Sequence, residues 1–183
     1  MAKLIVTEFV TLDGVVEAPE KWSLAYWNDA IAEYKHSELF AAGALLLGRV
    51  TYEGFAAAWP QRRGADAYAH RMNDLPRFVA SRTLTSPRWA GTTVLGDGLA
   101  EVPAIKARTA GDLLLFGSNK LAGALLTAGL VDEVRVLSYP VVRGSGARLL
   151  DGSTGALDLL ESKSLPRGVT LLRFAPAHHV GAQ

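Results

Sequence analysis

The chain has 183 residues, of which 49% are hydrophobic and 20% are charged, and its 19 basic and 18 acidic side chains leave a net charge of +1. This length is typical of one domain, which buries enough surface to fold without a disulfide or a metal. The absence of cysteine excludes thiol nucleophiles, disulfides and cysteine-bound metals, and it fits a reducing compartment. The even charge balance argues against a nucleic-acid partner, because such binders usually carry a basic excess.

Nothing in the sequence indicates a membrane segment. The longest apolar stretch, residues 39–48, is well short of the roughly 20 residues that a spanning helix needs. The amino terminus reaches Glu8 too early for the apolar region of a signal peptide. We therefore expect a soluble, cytoplasmic protein without a membrane partner, with a single domain over residues 1–176 and a tail at 177–183 that contains His178 and His179.

The predicted elements alternate between strands and helices along the chain. The strands are expected at residues 3–12, 44–48, 77–80, 92–95, 113–116, 134–139, 157–162 and 169–174, and the helices at residues 25–40, 50–59, 99–107 and 120–128. Continuous apolar runs such as 44–47 are typical of strands buried on both faces of a parallel sheet. The last two strands flank Pro166-Arg167-Gly168, which predicts an antiparallel hairpin. The fold class is therefore α/β, with a mixed, mostly parallel sheet and a C-terminal antiparallel hairpin.

Two predicted strands end in a glycine followed by polar residues that open a helix. The first turn holds Gly48, Arg49 and Thr51, and the second holds Gly117, Ser118 and Lys120. Ligands of open α/β sheets bind at the carboxyl ends of strands, where helix N-termini attract phosphate and glycine permits close approach. Either turn alone is typical of an ordinary strand–helix connection. Together they indicate a site for a ligand with several phosphates.

A third polar turn follows the strand at residues 77–80. It contains Ser81, Arg82 and Thr83, and an arginine between two hydroxyls is well suited to a phosphate monoester. The alternative interpretation is a surface turn with a solvated arginine.

Six short motifs then carry a family resemblance. They lie at residues 11–14 (Thr-Leu-Asp-Gly), 46–53, 79–84, 117–121, 129–133 and 139–146. In this order they resemble the dihydrofolate-reductase-like family that includes the reductase domain of bacterial riboflavin biosynthesis, and in particular its short stand-alone bacterial members. The resemblance extends over residues 3–174 and implies a three-layer α/β/α fold.

The resemblance also implies NADPH as the cofactor. It assigns the adenosine end of NADPH, with its 2′-phosphate, to Gly48, Arg49, Thr51, Ser81, Arg82 and Thr83. It assigns the pyrophosphate to the turn formed by Gly117, Ser118, Asn119, Lys120 and Leu121. The loop at Asp13 and Gly14 would cover the nicotinamide, and the substrate would lie between this loop and the first helix.

Aromatic residues are candidates for the substrate pocket. Trp22, Trp27, Tyr52, Phe55 and Trp59 are expected at the same mouth, where a pterin-like or flavin-like ring could stack. The alternative is that aromatics at helical spacing belong to the core. Tyr52 and Phe55 lie three residues apart and so share a helix face.

The sequence does not identify a catalytic residue. Asp29, Glu33 and Glu38 of the first helix are equivalent candidates, Asp13 is either a fourth or simply a turn residue, and water could supply the proton. His36 and His70 have no metal-ligand spacing, so we expect no metal site. No serine lies in a Gly-x-Ser-x-Gly frame, which argues against a hydrolase.

The leading hypothesis is an NADPH-dependent reductase that acts on an unidentified small, ring-containing substrate similar to a pterin or a riboflavin precursor. One alternative is a non-catalytic nucleotide-binding or regulatory protein on the same fold. The other is a homodimeric interaction module, with residues 134–142 and the late hairpin as the interface.

Overall fold

One mixed sheet of eight strands organises the computed structural model, which describes residues 2–177. The predicted tail beyond Ala177, which contains His178 and His179, lies outside the described residues. The strands are β1 (Leu4–Thr11), β2 (Ala42–Gly48), β3 (Arg77–Ala80), β4 (Thr92–Leu95), β5 (Asp112–Phe116), β6 (Glu133–Tyr139), β7 (Leu157–Ser164) and β8 (Thr170–Pro176). The helices are α1 (Asp29–Ala41), α2 (Arg49–Ala58), α3 (Ala67–Asp74), α4 (Gly98–Arg108) and α5 (Asn119–Thr127).

The strand order is β4-β3-β2-β5-β1-β6-β8-β7. The strands from β4 to β6 are all parallel, whereas β8 pairs antiparallel with both β6 and β7. The predicted α/β class, the mostly parallel sheet and the C-terminal antiparallel hairpin are confirmed. No helix within residues 2–177 has the length and apolar character needed to cross a membrane.

Helices cover both faces of the sheet, which gives the three layers. On one face, α4 and α5 contribute Val102 and Leu125 to a core that contains Leu4, Val6 and Val10 of β1. On the opposite face, α1, α2 and α3 contribute to a second core built on alternate residues of the same strands, with Leu39, Tyr52 and Met72 as their buried members. Because successive strand residues point to opposite faces, a strand covered on both sides is apolar throughout.

Capping residues explain two differences from the predicted helices. The helix predicted from residue 25 begins only at Asp29, because the side-chain oxygen of Asn28 accepts hydrogen bonds from the backbone N–H groups of Ala30 and Ile31. Residues 24–26 form a separate 3₁₀ turn. The helix α3 was not predicted. The Asp66 carboxylate caps this helix by accepting a hydrogen bond from the backbone N–H of Ala69 at 2.7 Å. The helix is short and mostly polar, so its apolar face is not evident from the sequence pattern.

Glu8 is a buried carboxyl group in the middle of β1. Its side chain points to the same face of the sheet as Val6 and Val10, the face covered by α4 and α5. The side-chain oxygen Oε1 has no hydrogen-bond partner among the described residues. Burial raises the pKa of Glu8 to about 8, although the charge of Lys35 opposes this change. Glu8 is therefore protonated at neutral pH in the folded protein.

We expect this proton to make stability pH-dependent. Between pH 5 and 8 the folded state keeps the Glu8 proton while the unfolded state loses it, so stability falls as pH rises. The variant Glu8→Gln has no carboxyl group to titrate, so its stability should not fall in this way. The free energy of unfolding of the variant, relative to that of the wild type, should therefore increase from pH 5 to pH 8 by up to about 4 kcal/mol. Urea unfolding of both proteins at pH 5 and pH 8 measures the difference. Parallel pH dependences would contradict the prediction.

Candidate active site

The carboxyl ends of four neighbouring parallel strands define the candidate site. In spatial order β3, β2, β5 and β1 end next to one another, and the turns at Ser81, Gly48, Gly117 and Asp13 follow them. Three sequence-predicted phosphate turns are therefore adjacent along one edge of the sheet. Two of these turns open helices, α2 and α5, whose N-termini present unpaired N–H groups and a positive dipole end.

Ser118 connects two of the turns directly. Its hydroxyl oxygen accepts a hydrogen bond from the backbone N–H of Gly48 at 2.8 Å and lies 3.0 Å from the hydroxyl oxygen of Thr51. Ser118 itself has a left-handed backbone (φ 58°), as does Gly117 before it (φ 52°). A Cβ at Gly48 would approach the Ser118 hydroxyl oxygen to 3.2 Å, so any larger residue here would require the serine side chain to shift.

The third turn is held by its own serine. The Ser81 hydroxyl accepts hydrogen bonds from the backbone N–H groups of Thr83 and Leu84, at 3.2 and 3.0 Å. Arg82 is exposed at the tip. The turn at residues 96–98, which opens α4 beside Ser81, was not recognised in the sequence. A Cβ at Gly98 would lie 3.0 Å from the Ala80 side chain, and the Gly-Asp-Gly sequence was the available signal.

Other predicted cofactor residues have neighbours within the protein. Arg49 is exposed and forms an ion pair with Glu53, one turn later in α2, at 2.8 Å. The side-chain oxygen of Asn119 accepts from the backbone N–H of Leu150 at 2.7 Å, and its amide donates to the carbonyl of Arg148. Lys120 is exposed and Leu121 is half-buried against the core.

Asp13 holds the loop at residues 143–148 against the end of β1. Its carboxylate accepts hydrogen bonds from the Thr11 hydroxyl at 2.6 Å and from the backbone N–H of Gly144 at 2.7 Å. These bonds, the first of them the largest cause, lower the pKa of Asp13 to about 2. Gly14 completes the turn with φ 86°. Asp13 is therefore ionised at neutral pH and is unsuited to donating a proton.

The predicted aromatic residues are divided between core and surface. Trp22 is 6% exposed and packs edge-on against Tyr139, and Tyr52 is 2% exposed and accepts a hydrogen bond from the backbone N–H of Trp89. Both side chains therefore belong to the core. Phe55 is half-buried between Trp59 and Phe116.

Trp27 and Trp59 line a cleft of about 650 Å³ between α1 and the segment that links α2 to α3. Its lining residues are Leu24, Trp27, Ala32, Lys35, His36, Trp59, Arg62, Asp66, Ala67 and Tyr68. We call this the aromatic cleft. A smaller cleft of about 300 Å³ adjoins the Asp13 loop and is lined by Val15, Glu17, Ala18, Lys21, Arg143, Ser145 and Gly146. Val15, the residue after Gly14, lines the smaller cleft, and neither Asp13 nor Gly14 lines the aromatic cleft.

A buried ion pair lies beside the aromatic cleft. Lys35 is hydrogen-bonded to Glu38 and, at 3.0 Å, to the Thr7 hydroxyl. Its ammonium lies 4.7 Å from the ring centre of Phe116, the last residue of β5, so Lys35 links the cleft to the strand end that precedes the Gly117 turn. Sequence reasoning overlooked Lys35. Its spacing of four residues from Ile31 on the buried face of α1 was the available signal.

The structure separates the acids that the sequence left equivalent. Asp29 and Glu33 are exposed, whereas the Glu38 side chain is fully buried. The Arg135 guanidinium lies 3.6 Å from Glu38 and also pairs with Glu133 at 2.8 Å. Burial by itself would raise the pKa of Glu133, but hydrogen bonds from its arginine partners bring that pKa below its usual range. Within residues 2–177, no three His, Asp or Glu side chains are grouped closely enough to hold a metal ion.

Comparison with known proteins yields one family and one curated relative. The model of the RibD C-terminal domain family matches residues 2–171. An uncharacterised protein of Bacillus subtilis (strain 168), YyaP, is 25% identical over 153 residues, which cover 80% of this chain and 79% of the relative.

Solved structures share the fold at low sequence identity. A putative riboflavin biosynthesis protein from Shewanella sp. PV-4 has a TM-score of 0.69 and 17% identity, over 97% of this chain and 100% of that one. The dihydrofolate reductase from Enterococcus faecalis, complexed with NADP(H) and RAB-propyl, has a TM-score of 0.63 and 12% identity, over 95% and 96% of the two chains. The predicted dihydrofolate-reductase-like fold is confirmed.

We expect the Ser118 hydroxyl to stabilise the site. Ser118→Ala removes the acceptor of the half-buried Gly48 N–H, and both residue types tolerate the left-handed backbone equally poorly, so the lost hydrogen bond dominates. The free energy of unfolding should fall by about 1–2 kcal/mol. Urea unfolding measures it, with Ser86→Ala in the exposed loop before β4 as the control. Equal stability of the two variants would show that Ser118 contributes nothing.

Proposed function

The chain belongs to the RibD C-terminal domain family, and from this premise we propose that it is an NADPH-dependent reductase acting on a small, ring-containing substrate similar to a pterin or a riboflavin precursor. One observation carries the proposal. Adjacent phosphate-competent turns line the sheet edge, and Lys35 of the aromatic cleft lies against Phe116, the last residue of β5, at the same edge.

The turn residues fit a dinucleotide. The helices α2 and α5 begin directly after the adjacent strands β2 and β5, and a hydrogen bond from the Gly48 N–H to the Ser118 hydroxyl holds the two turns together. Two helix N-termini that follow adjacent strands suit the two phosphates of a pyrophosphate. The solved dihydrofolate reductase with the same fold is complexed with NADP(H), which supports this choice of cofactor.

Arginine side chains would distinguish NADPH from NADH. Arg82 is exposed in the turn that follows β3. Arg49 is exposed at the start of α2, which follows the neighbouring strand β2. A guanidinium group binds a phosphate monoester through paired hydrogen bonds. We infer that Arg82, with Arg49, holds the 2′-phosphate of NADPH.

The aromatic cleft would hold the substrate ring. Trp27 is 42% exposed on one side of the cleft, and Trp59 lies on the other side, packed against Phe55 and Tyr68. Aromatic walls favour a planar ligand by stacking and by burial of apolar surface. When bound, NADPH supplies the hydride, so the protein contributes binding and orientation.

We expect Arg82→Ala to weaken NADPH binding by about 10- to 150-fold, the loss of one or two charge-assisted hydrogen bonds. NADH binding should change little, because NADH lacks the 2′-phosphate. Titrations followed by tryptophan fluorescence measure both affinities. Arg88→Ala is the matched control, since Arg88 is an exposed arginine of the same loop.

Three outcomes of these titrations would contradict parts of the proposal. Equal weakening of both cofactors would mean that Arg82 acts elsewhere. If the wild type binds neither cofactor at millimolar concentration, both nucleotide-based functions are wrong. If it binds NADPH but no pterin, flavin or quinone oxidises the cofactor, the non-catalytic nucleotide-binding alternative is favoured.

A homodimer, which is compatible with the reductase, is favoured by the outer strand of the sheet. Leu159 and Leu160 of β7 are 56% and 53% exposed, and one edge of β7 is unpaired among the described strands. Symmetric antiparallel pairing of β7 with a second copy can place Asp158 opposite Lys163 twice, a favourable cross-strand charge pair. Such pairing would also protect the exposed edge.

We expect light scattering to give a dimer for the wild type and a monomer for Leu159→Lys/Leu160→Lys, because paired copies would bury these charges. Asp158→Lys should also weaken the dimer, since it places like charges opposite each other. A wild-type monomer at tens of micromolar, or a dimer unaffected by these changes, would exclude this interface.

A further inference from the structure

Lys35 has no role in the cofactor site, yet it is a buried cation beside the aromatic cleft. Resting on the proposed function, we propose that Lys35 donates a hydrogen bond to a carbonyl oxygen or ring nitrogen of the substrate. The substrate class is then a planar heteroaromatic ring that carries such an acceptor next to the carbon that is reduced.

Lys35 is held in one place by two neighbours. Its ammonium donates to the Thr7 hydroxyl at 3.0 Å and to the Glu38 carboxylate, and the Thr7 hydroxyl donates to the same carboxylate oxygen at 3.1 Å. The three side chains form a closed ring of hydrogen bonds. The Lys35 side chain is only 5% exposed, so its amine cannot leave this position without breaking the ring.

One donor of the ammonium remains for a ligand. A lysine ammonium has three N–H donors, and among residues 2–177 its hydrogen-bond acceptors are Thr7 and Glu38. Lys35 also lines the aromatic cleft. The proposal assigns the third donor to a ligand in the cleft, which leaves the other two hydrogen bonds in place.

A buried ion pair is weak evidence for a stabilising role. Removing two charges from water costs free energy that their attraction only partly offsets, and apolar residues of similar volume are often equally or more stable. Here the ammonium lies over the rings of Phe9 and Phe116, 5.5 and 4.7 Å from their centres, and these contacts offset only part of the desolvation cost. A ligand-binding role accounts for a charged pair retained among aromatic rings at the cleft.

Glu38 acts as the positioning residue for Lys35. Besides the lysine, its carboxylate has the Arg135 guanidinium at 3.6 Å and accepts a hydrogen bond from the Tyr34 hydroxyl at 3.4 Å. Arg135 is in turn paired with Glu133, which also binds Arg173 at 2.6 Å. The carboxylate is thus held from β6 as well as from α1.

This position suits charge stabilisation during reduction. The ring carbon gains the hydride, the π electrons of its C=N or C=O bond move to the acceptor atom, and a proton from water completes the reduced product while the nicotinamide is oxidised. Negative charge develops on the acceptor atom. A fixed ammonium hydrogen-bonded to that atom stabilises the charge at the moment it forms.

Riboflavin serves as the probe, because its ring carries both carbonyl and ring-nitrogen acceptors, and it is titrated in the absence of cofactor. Quenching of the cleft tryptophans reports binding. Lys35→Met keeps the length of the side chain and removes the donor, so we expect riboflavin affinity to fall about 10- to 150-fold. Lys3→Met, at an exposed lysine before β1 that lines neither cleft, is the control and should bind as the wild type does.

A second variant separates binding from folding. Lys35→Met leaves Glu38 buried without its ammonium, whereas Lys35→Met/Glu38→Gln removes the whole ion pair and should fold well. Both variants should lose riboflavin affinity and keep NADPH affinity near that of the wild type, which a general disruption of the fold would not do.

Two results would overturn the inference. One is riboflavin binding by the double variant with wild-type affinity. The other is failure of the folded wild-type protein to bind riboflavin at its solubility limit. Neither result depends on NADPH, whose own titration tests the proposed function separately.

Discussion

The parallel pairing of β1 with both β5 and β6 is the constraint on which the site depends. Parallel strands must all end at the same edge, so the turns that follow them come together although they are far apart in the chain. Gly48 and Ser118 are 70 residues apart and meet through one hydrogen bond of 2.8 Å. The common direction of the strands therefore brings the turns to one edge of the sheet, and the residues of the turns then determine what that edge can bind.

Buried charge distinguishes the two faces of β1. Glu8 points to the face covered by α4 and α5, where it has no partner for one oxygen and burial keeps it protonated. Thr7, its neighbour, points to the other face and joins Lys35 and Glu38 in a closed hydrogen-bonded ring. The same strand thus carries an isolated neutral acid on one side and supports a hydrogen-bonded ion pair on the other.

Local patterns were sufficient for most of the fold. The strands β3 and β4 occur at their predicted bounds, because short β-branched and apolar runs between turn residues leave little choice of structure. The helix α3 was not predicted, since its buried face consists of only Ala69, Met72 and Asn73. Its existence depends on packing against α1 and on the Asp66 cap, and the periodicity of a short polar segment carries neither signal.

The sequence by itself determined the fold class, the antiparallel end of the sheet and the strand-end turns at Gly48, Ser81 and Gly117. Those features depend on residues that are neighbours in the chain. Only the tertiary structure decided that Trp22 and Tyr52 are core residues, that Trp27 lines a cleft, and that Lys35 and Glu38 are the buried charges of α1. Burial is decided by elements that pack from distant parts of the chain, so side chains of the same type and similar spacing acquire different environments.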